Sequence, residues 1–280
     1  MNELSVIMAT YNEDINFLKT CIDSILHQTF RDFEFIIVIE PDENNIDYLK
    51  HISDIDSRVK ILKNESRLGV AGSRNRAIEE SSGDYIAIID GDDYCDLDRF
   101  RKQLSFLKSN PEISIVGSNM YLIDADNRAI GERIYPGLHE GIKKYFLITM
   151  AIANPTVMVR KKDLEDIGLF NNNFHKAEDF ELWLRFLAHN KRMHNLQENL
   201  IYYRMPSEHN EKRGSMHWRN NYIARKKYSK LIWPLHIRFL SLLLFFLVSR
   251  LPDVFLDYLL NLKIAERIKH IKPKLGNSDI

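Results

Sequence analysis

The sequence predicts an α/β domain whose central sheet is parallel or mixed and covered on both faces. Three apolar runs predict it. Tyr85-Ile86-Ala87-Ile88-Ile89 carries no charged or amide side chain, as expected of a strand buried on both sides, and it stops abruptly at Asp90-Gly91-Asp92-Asp93. Leu4 to Thr10 is a second such run, breaking into Tyr11-Asn12-Glu13. Phe33 to Ile39 is a third, closing on Glu40-Pro41-Asp42.

The elements follow in order. After the first strand, Ile15, Leu18, Ile22, Ile25 and Leu26 form one stripe of a helix. After the second, Gly69 to Ala77 reads as a glycine-containing turn opening a helix with Arg74 and Arg76 in its first turns. A helix start beside arginines suits phosphate. The third strand then delivers Asp90, Asp92 and Asp93 to the carboxyl edge of the sheet, where ligands of α/β folds collect. Gly91 is expected to let the backbone turn. Three acids this close repel one another, and a hard divalent cation with oxygen ligands relieves that repulsion. An Asp-rich solvated turn is the alternative. Farther on, Phe180, Trp183, Leu184 and Leu187 recur at helical spacing behind Glu178-Asp179. Acids at a helix start are also what the macrodipole favours, and Glu181 with Arg185 reads as an exposed i,i+4 pair.

Taken together, these motifs resemble the family 2 glycosyltransferases. Ser5-Val6-Ile7 through Tyr11-Asn12-Glu13 is similar to that family's first strand and loop, and Gly69 to Asn75 to its arginine-asparagine helix start. Asp90-Gly91-Asp92 resembles its DxD metal motif, Asn154 to Arg160 its acceptor-side strand, and Glu178-Asp179 through Arg185 its ED motif. Each is weak singly, but the order is the family's.

The resemblance implies a GT-A nucleotide-sugar-binding fold with a mixed, mostly parallel central sheet and a C-terminal helical appendage. It implies transfer of a sugar from a nucleotide-sugar donor, a UDP-sugar, to a glycan or lipid-linked acceptor in surface polysaccharide or glycolipid synthesis. Thr10, Tyr11 and Glu13 would lie beside base and ribose, Arg74 near the diphosphate, and Asp90 near ribose or metal. Asp92, with Asp93, would reach a divalent metal, Mn2+ or Mg2+. Asp179 would be the general base of an inverting displacement, with Glu178 beside it. The second strand departs from the family pattern: Glu40 stands where a first Asp is usual and can take a base or ribose contact, while Pro41 stiffens the turn. No Gln-x-x-Arg-Trp signature of processive synthases is present, and His217-Trp218-Arg219 does not match it. Single-sugar transfer is expected.

The chain has 280 residues, 45% hydrophobic, enough for one substantial core plus an appendage. The expected division is a catalytic domain over 1–205, with a donor half to about 117 and an acceptor half from 118, and a helical region over 206–280. Net charge is zero, yet residues 201–280 hold 15 Lys and Arg against 6 Asp and Glu, leaving 24 against 33 before them. Within that basic tail, Phe239 to Ser249 is a leucine- and phenylalanine-rich run, followed by Val254-Phe255-Leu256 and Tyr258-Leu259-Leu260 beyond Pro252. It is shorter than the ~20 residues of a spanning helix, so 235–275 is expected to lie on a membrane surface, with Arg225-Lys226-Lys227 and Lys263 to Lys274 attracting anionic lipid. Packing on the catalytic domain or in a homodimer is the alternative. Cys21 and Cys95 are too few for a disulfide framework, and no signal peptide precedes the first strand, so a cytoplasmic enzyme on the inner membrane face is expected. No nucleic-acid partner is expected.

The ten histidines show no metal-ligand spacing, so His175, His189 and His194 read as surface or hydrogen-bonded residues. His209 sits where a loop can close over donor phosphates, or be solvated. Trp183, Trp218 and Trp233 stack on sugars or fill core. Dinucleotide and Walker loops are absent. Two other readings stand: a sugar nucleotidyltransferase, whose early glycine-rich loop is missing between Val6 and Asn16, and a non-catalytic membrane-associated scaffold with the same fold.

Overall fold

The computed structural model describes residues 2–205 and 215–251. In chain order it contains β1 (Leu4–Thr10), α1 (Ile15–Leu26), β2 (Phe33–Ile39), α2 (Ile46–Ile55), β3 (Val59–Lys63), α3 (Gly69–Glu79) and β4 (Tyr85–Asp90). There follow β5 (Tyr94–Cys95), α4 (Arg99–Ser109), β6 (Ile113–Ile123), β7 (Ala129–Arg133), α5 (His139–Tyr145), β8 (Met158–Arg160) and α6 (Lys161–Ile167). The last are α7 (Glu178–Ala188), β9 (Arg192–Arg204), α8 (Ser215–Ile232) and α9 (Leu235–Val248).

The strands form one mixed sheet in the order β3-β2-β1-β4-β8-β6-β9-β5, with β7 on β6. The first four are parallel, β8 runs against β4 and β6, and β9 runs parallel to β6. Both faces are covered, which is why β4 reads as an uninterrupted apolar run. Tyr85, Ala87 and Ile89 point into one core with Leu18 and Ile22 of α1 and Phe100 and Leu104 of α4. Ile86 and Ile88 point into the other, with Ala77 and Ile78 of α3 and Phe180 and Leu184 of α7. From β1 the chain steps outward to β2 and β3, then returns through α3 to place β4 on β1's other side. Strand order therefore reverses beside the carboxyl ends of β1 and β4, where such sheets open a crevice.

Three sequence readings change. The stretch from Asn154 to Arg160 is not one strand: Asn154–Thr156 is a 3-10 turn, and only Met158–Arg160 pairs. Pro155 cannot donate to a ladder and fits a helical first turn. Gly91 is not among the residues with positive φ, so a left-handed turn is not its reason for being glycine. Glu181 and Arg185 are not an exposed pair. Glu181 is fully buried; it accepts from Arg185 Nη2 at 2.9 Å and from the Tyr228 hydroxyl at 2.5 Å. Arg185 also donates to the carbonyls of Ile167, Gly168 and Leu169, tying α7 to the end of α6.

That buried acid also docks α8. Ala224, Tyr228 and Ile232, with Trp233, join the same core as Phe180 and Leu184. The expected boundary near 205 falls beside 206–214, and His209 and the stretch from Pro252 to Lys274 lie outside the described residues. Among the described residues no helix is long and apolar enough to cross a membrane. α9 packs Phe245 inward and leaves Phe239, Leu240, Leu243, Leu244 and Leu247 exposed. Ser241 Oγ donates to the Leu147 carbonyl at 2.7 Å, so one side of α9 does rest on the domain.

Tyr228→Phe removes one donor to a buried carboxylate without changing shape. It should lower the unfolding free energy by about 1–3 kcal/mol, read as a shift of the urea midpoint at unchanged slope. An unshifted midpoint would mean that Glu181 does not need α8.

Candidate active site

The donor edge is built by three loops at the carboxyl ends of β1, β2 and β4. Ala9 is in register with Asp90 and Thr10 with Ile39, so Thr10 and Asp90 leave the sheet side by side. A Cβ on Gly91 would lie 3.3 Å from Glu13 Cγ and 3.4 Å from Thr10 Oγ1. Gly91 thus allows Glu13 and Thr10 to close on the acidic loop. Thr10 is buried and its hydroxyl finds no hydrogen-bond partner among the described residues. Tyr11 is 39% exposed; its ring lies 4.3 Å from the Arg67 guanidinium, and its hydroxyl donates to Asp42 Oδ2 at 3.2 Å. Asn12 has left-handed backbone and donates its N–H to Glu43 at 2.8 Å, clamping the first loop to the second.

Glu40 faces inward. Its carboxylate accepts from Gly69 N at 2.9 Å, Leu68 N at 3.2 Å, and the side chains of Ser73 and Asn64 at 3.3 Å. The start of α3, expected to receive a phosphate, is therefore occupied by this chain's own carboxylate. Glu40 is a buried cap for α3.

The acids after β4 are sorted by burial. Asp93 is 1% exposed and accepts from Arg204 N at 2.9 Å, which makes it an anchor of the loop. Arg204 also donates from Nε to the Asp92 carbonyl at 3.0 Å, and reaches Asp124 O and Asn127 Oδ1. Asp90 and Asp92 remain half-buried at the edge. Arg204 was not singled out as a functional residue, because nothing local at the end of β9 announces a partner across the sheet.

Arg74 joins this edge to the second half of the chain. Its Nη2 donates to Asp90 Oδ1 at 2.6 Å, and its Nη1 lies 3.8 Å from Glu178 Oε1. The guanidinium is buried, with side-chain exposure of 6%. Arg74, Asp90, Glu178 and Asp179 consequently line one cavity of about 270 Å³. Glu178 and Asp179 open α7 without a side-chain cap, and Asp179 Oδ1 accepts from Phe180 N at 2.7 Å. Burial raises the pKa of Glu178, and the charge of Asp179 adds to it while Arg74 opposes. Burial likewise raises that of Asp179, again against Arg74.

The same cavity is lined by groups outside the residues expected to serve the donor, the metal or the base. Asn154, buried, has neither amide oxygen nor nitrogen engaged among the described residues. From beyond residue 205 come Trp218, Asn221, Arg225 and Phe245. Trp183 is fully buried in the core and Trp233 nearly so, whereas Trp218 meets the cavity.

Asp90 and Asp92 offer hard oxygen donors to a divalent cation. Among the described residues no three His, Cys, Asp or Glu side chains gather into a metal site. Two half-buried carboxylates fit a Mg2+- or Mn2+-type ion that takes its remaining oxygens from a substrate's phosphates.

A family model for Glycosyl transferase family 2 matches residues 5–168. The O-antigen biosynthesis glycosyltransferase WbnJ of Escherichia coli is 34% identical over 76% of this chain and 83% of its own. The UDP-Glc:alpha-D-GlcNAc-diphosphoundecaprenol beta-1,3-glucosyltransferase WfgD of the same organism is 31% identical over 67% of this chain and 70% of its own. S. aureus TarS 1-349 in complex with UDP-GlcNAc superposes with TM-score 0.67 at 18% identity, over 87% of this chain and 71% of that one. The mannosyltransferase PcManGT of Pyrobaculum calidifontis, in complex with GDP-Man and Mn2+, superposes with TM-score 0.63 at 14% identity, over 97% and 76%. The mixed sheet curled around one crevice is the GT-A architecture these neighbours share.

Arg74→Met leaves Asp90, Glu178 and Asp179 facing one another without the guanidinium that lies between them. Removing one partner of a buried pair costs on the order of 3 kcal/mol. A carboxyl whose folded pKa exceeds its unfolded value loses stability as pH rises between the two, and Glu178 and Asp179 already lie on that side. Urea unfolding should therefore show a larger loss at about pH 8 than at about pH 5; the reverse ordering would refute this charge balance.

Proposed function

The chain belongs to glycosyltransferase family 2, and from that premise we propose an inverting transferase that moves one sugar from a nucleotide diphosphate sugar to a hydroxyl of a glycan or lipid-linked acceptor. The observation that carries the reading is the single cavity lined by Asp90 and Arg74 from the first half and by Asp179 from the second. Surface polysaccharide or glycolipid synthesis is the setting that the name of WbnJ and the lipid-linked acceptor in the name of WfgD suggest. A UDP-sugar is the proposed donor; the TarS complex holds UDP-GlcNAc.

The acceptor oxygen attacks the anomeric carbon as the bond from that carbon to the leaving phosphate oxygen breaks. The electron pair of that bond departs with the nucleoside diphosphate. Asp179, ionised, takes the acceptor's proton, and its raised pKa makes it a stronger base than an exposed aspartate. One displacement from the face opposite the leaving group inverts the configuration. Arg74 holds Asp90 and offsets the charge of Glu178, so that Asp179 can ionise beside them. Thr10, Tyr11 and Glu13 would receive base and ribose at the mouth of the β1 loop. Asp90 and Asp92 would hold a divalent cation, which when bound offsets charge on the leaving diphosphate.

The exposed leucines of α9 and the basic excess of the C-terminal region support a peripheral position on the cytoplasmic face of a membrane. A second subunit covering α9 is the competing occupant.

Three measurements test the reading. A panel of nucleotide sugars should reveal one that releases nucleoside diphosphate, with activity abolished by chelator; formation of nucleoside triphosphate only when pyrophosphate is added would instead indicate a nucleotidyltransferase, and neither product a scaffold. Asp179→Asn should retain donor binding while turnover falls by about 10²-fold or more, and the wild-type acid limb should lie above the ordinary carboxylate range. Near-normal turnover in that variant would exclude the base. On fractionation, part of the protein should stay with membranes after a high-salt wash and leave with detergent; complete solubility without detergent would count against insertion of α9.

A further inference from the structure

Arg225 lines the cavity and is buried with no ion-pairing carboxylate among the described residues. It is 1% exposed, and its Nη1 donates to the Phe146 carbonyl. Nε and Nη2 have no partner among the described residues. Its guanidinium lies 4.6 Å from the Phe180 ring and 3.7 Å from that of Phe245. Two aromatic faces offset part of the cost of burying the charge, but a ring face leaves in-plane N–H donors unsatisfied. Burial lowers its pKa to about 9, the direction expected when no anion is present to hold the proton.

Three features say what would satisfy it. A guanidinium edge with free N–H groups matches the oxygens of a phosphoryl group in a two-pronged contact. Arg225 lines the same cavity as Asp90 and Asp179, and its guanidinium stacks on Phe180, the residue that follows Asp179. Phe245, stacked on Arg225, belongs to α9, whose Leu240, Leu243, Leu244 and Leu247 are exposed. An anion at Arg225 would thus sit between the hydroxyl presented to Asp179 and an apolar helix face.

We propose that Arg225 anchors a phosphoryl group carried by the acceptor, so that the acceptor class is a phosphate- or diphosphate-linked sugar. This rests on the reading of the cavity as a donor and acceptor site. Trp218, whose ring lies 6.1 Å from that of Phe245 and whose indole N–H has no partner among the described residues, forms the adjoining wall.

The test uses the full chain saturated with UDP, titrated calorimetrically with hexyl phosphate, inorganic phosphate and hexanol. Hexyl phosphate should bind the wild type and weaken at least tenfold in Arg225→Gln, with Arg225→Lys between them, while hexanol should not bind. Inorganic phosphate binding as well as hexyl phosphate, and equally lost in Arg225→Gln, would support the anion site and assign it to a soluble phosphorylated acceptor; weaker inorganic phosphate would assign a lipid-linked one. Equal affinity of wild type and Arg225→Gln for hexyl phosphate, or none in the wild type, overturns the proposal. UDP affinity must be unchanged in Arg225→Gln, since its loss would hand Arg225 to the donor and overturn the proposal too. A wild type that fails to bind UDP would sink the donor reading, not this one. Should Arg225→Gln not fold, the wild-type titrations and Arg225→Lys still decide: Lys at wild-type strength or above would remove the need for a guanidinium.

Discussion

One buried guanidinium holds the site together. Arg74 reaches from α3 to Asp90 at the end of β4 and toward Glu178 at the start of α7, so three elements far apart in sequence meet on one charge. Without that cation, Asp90, Glu178 and Asp179 would face each other in a cavity where burial already resists their ionisation. With it, one acid can serve the donor side and another can remain a base. The orientation of Arg74 depends in turn on α3, and α3 depends on Glu40 at its first turn. Glu40 is thus a prop beneath the residue that organises the cavity.

The same economy recurs around the acidic loop. Asp93 is turned inward onto Arg204, and Arg204 collects carbonyls from two loops, leaving Asp90 and Asp92 at the edge. Neighbouring aspartates in a short motif therefore differ in setting: one supports the loop, and two stay half-buried at the edge. Across the cavity, Glu181 does for α8 what Glu40 does for α3. A fully buried carboxylate draws Tyr228 and Arg185 together and seats α8 against α7. The C-terminal helices are consequently a wall of the cavity, and this is why Trp218, Arg225 and Phe245 come within reach of a molecule lying beside Asp179.

Much of the sheet was legible because hydrophobic periodicity is local. The runs at Leu4, Phe33 and Tyr85 gave strands at nearly the expected limits, since a strand buried on both faces has no polar position to blur it. The stretch from Asn154 was misread because Pro155 forces a helical turn before pairing begins. Glu181 and Arg185 looked exposed because i,i+4 spacing is silent about what packs on that face; the partner, Tyr228, is 47 residues away. Arg225 looked like one member of a basic cluster with Lys226 and Lys227. Only its position facing α7 and α9 separates it from them.

By itself the sequence determined β1, β2 and β4, the helices α1, α3 and α7, the edge at which the acids emerge and the residue types available for transfer chemistry, because these follow from side-chain pattern within short windows. Tertiary structure alone decided which carboxylates face the cavity and which are spent on backbone, and that helices beyond residue 214 complete its wall. The reason is that burial and charge pairing are properties of neighbours in space, and for Arg74, Glu40, Glu181 and Arg225 those neighbours are distant in the chain.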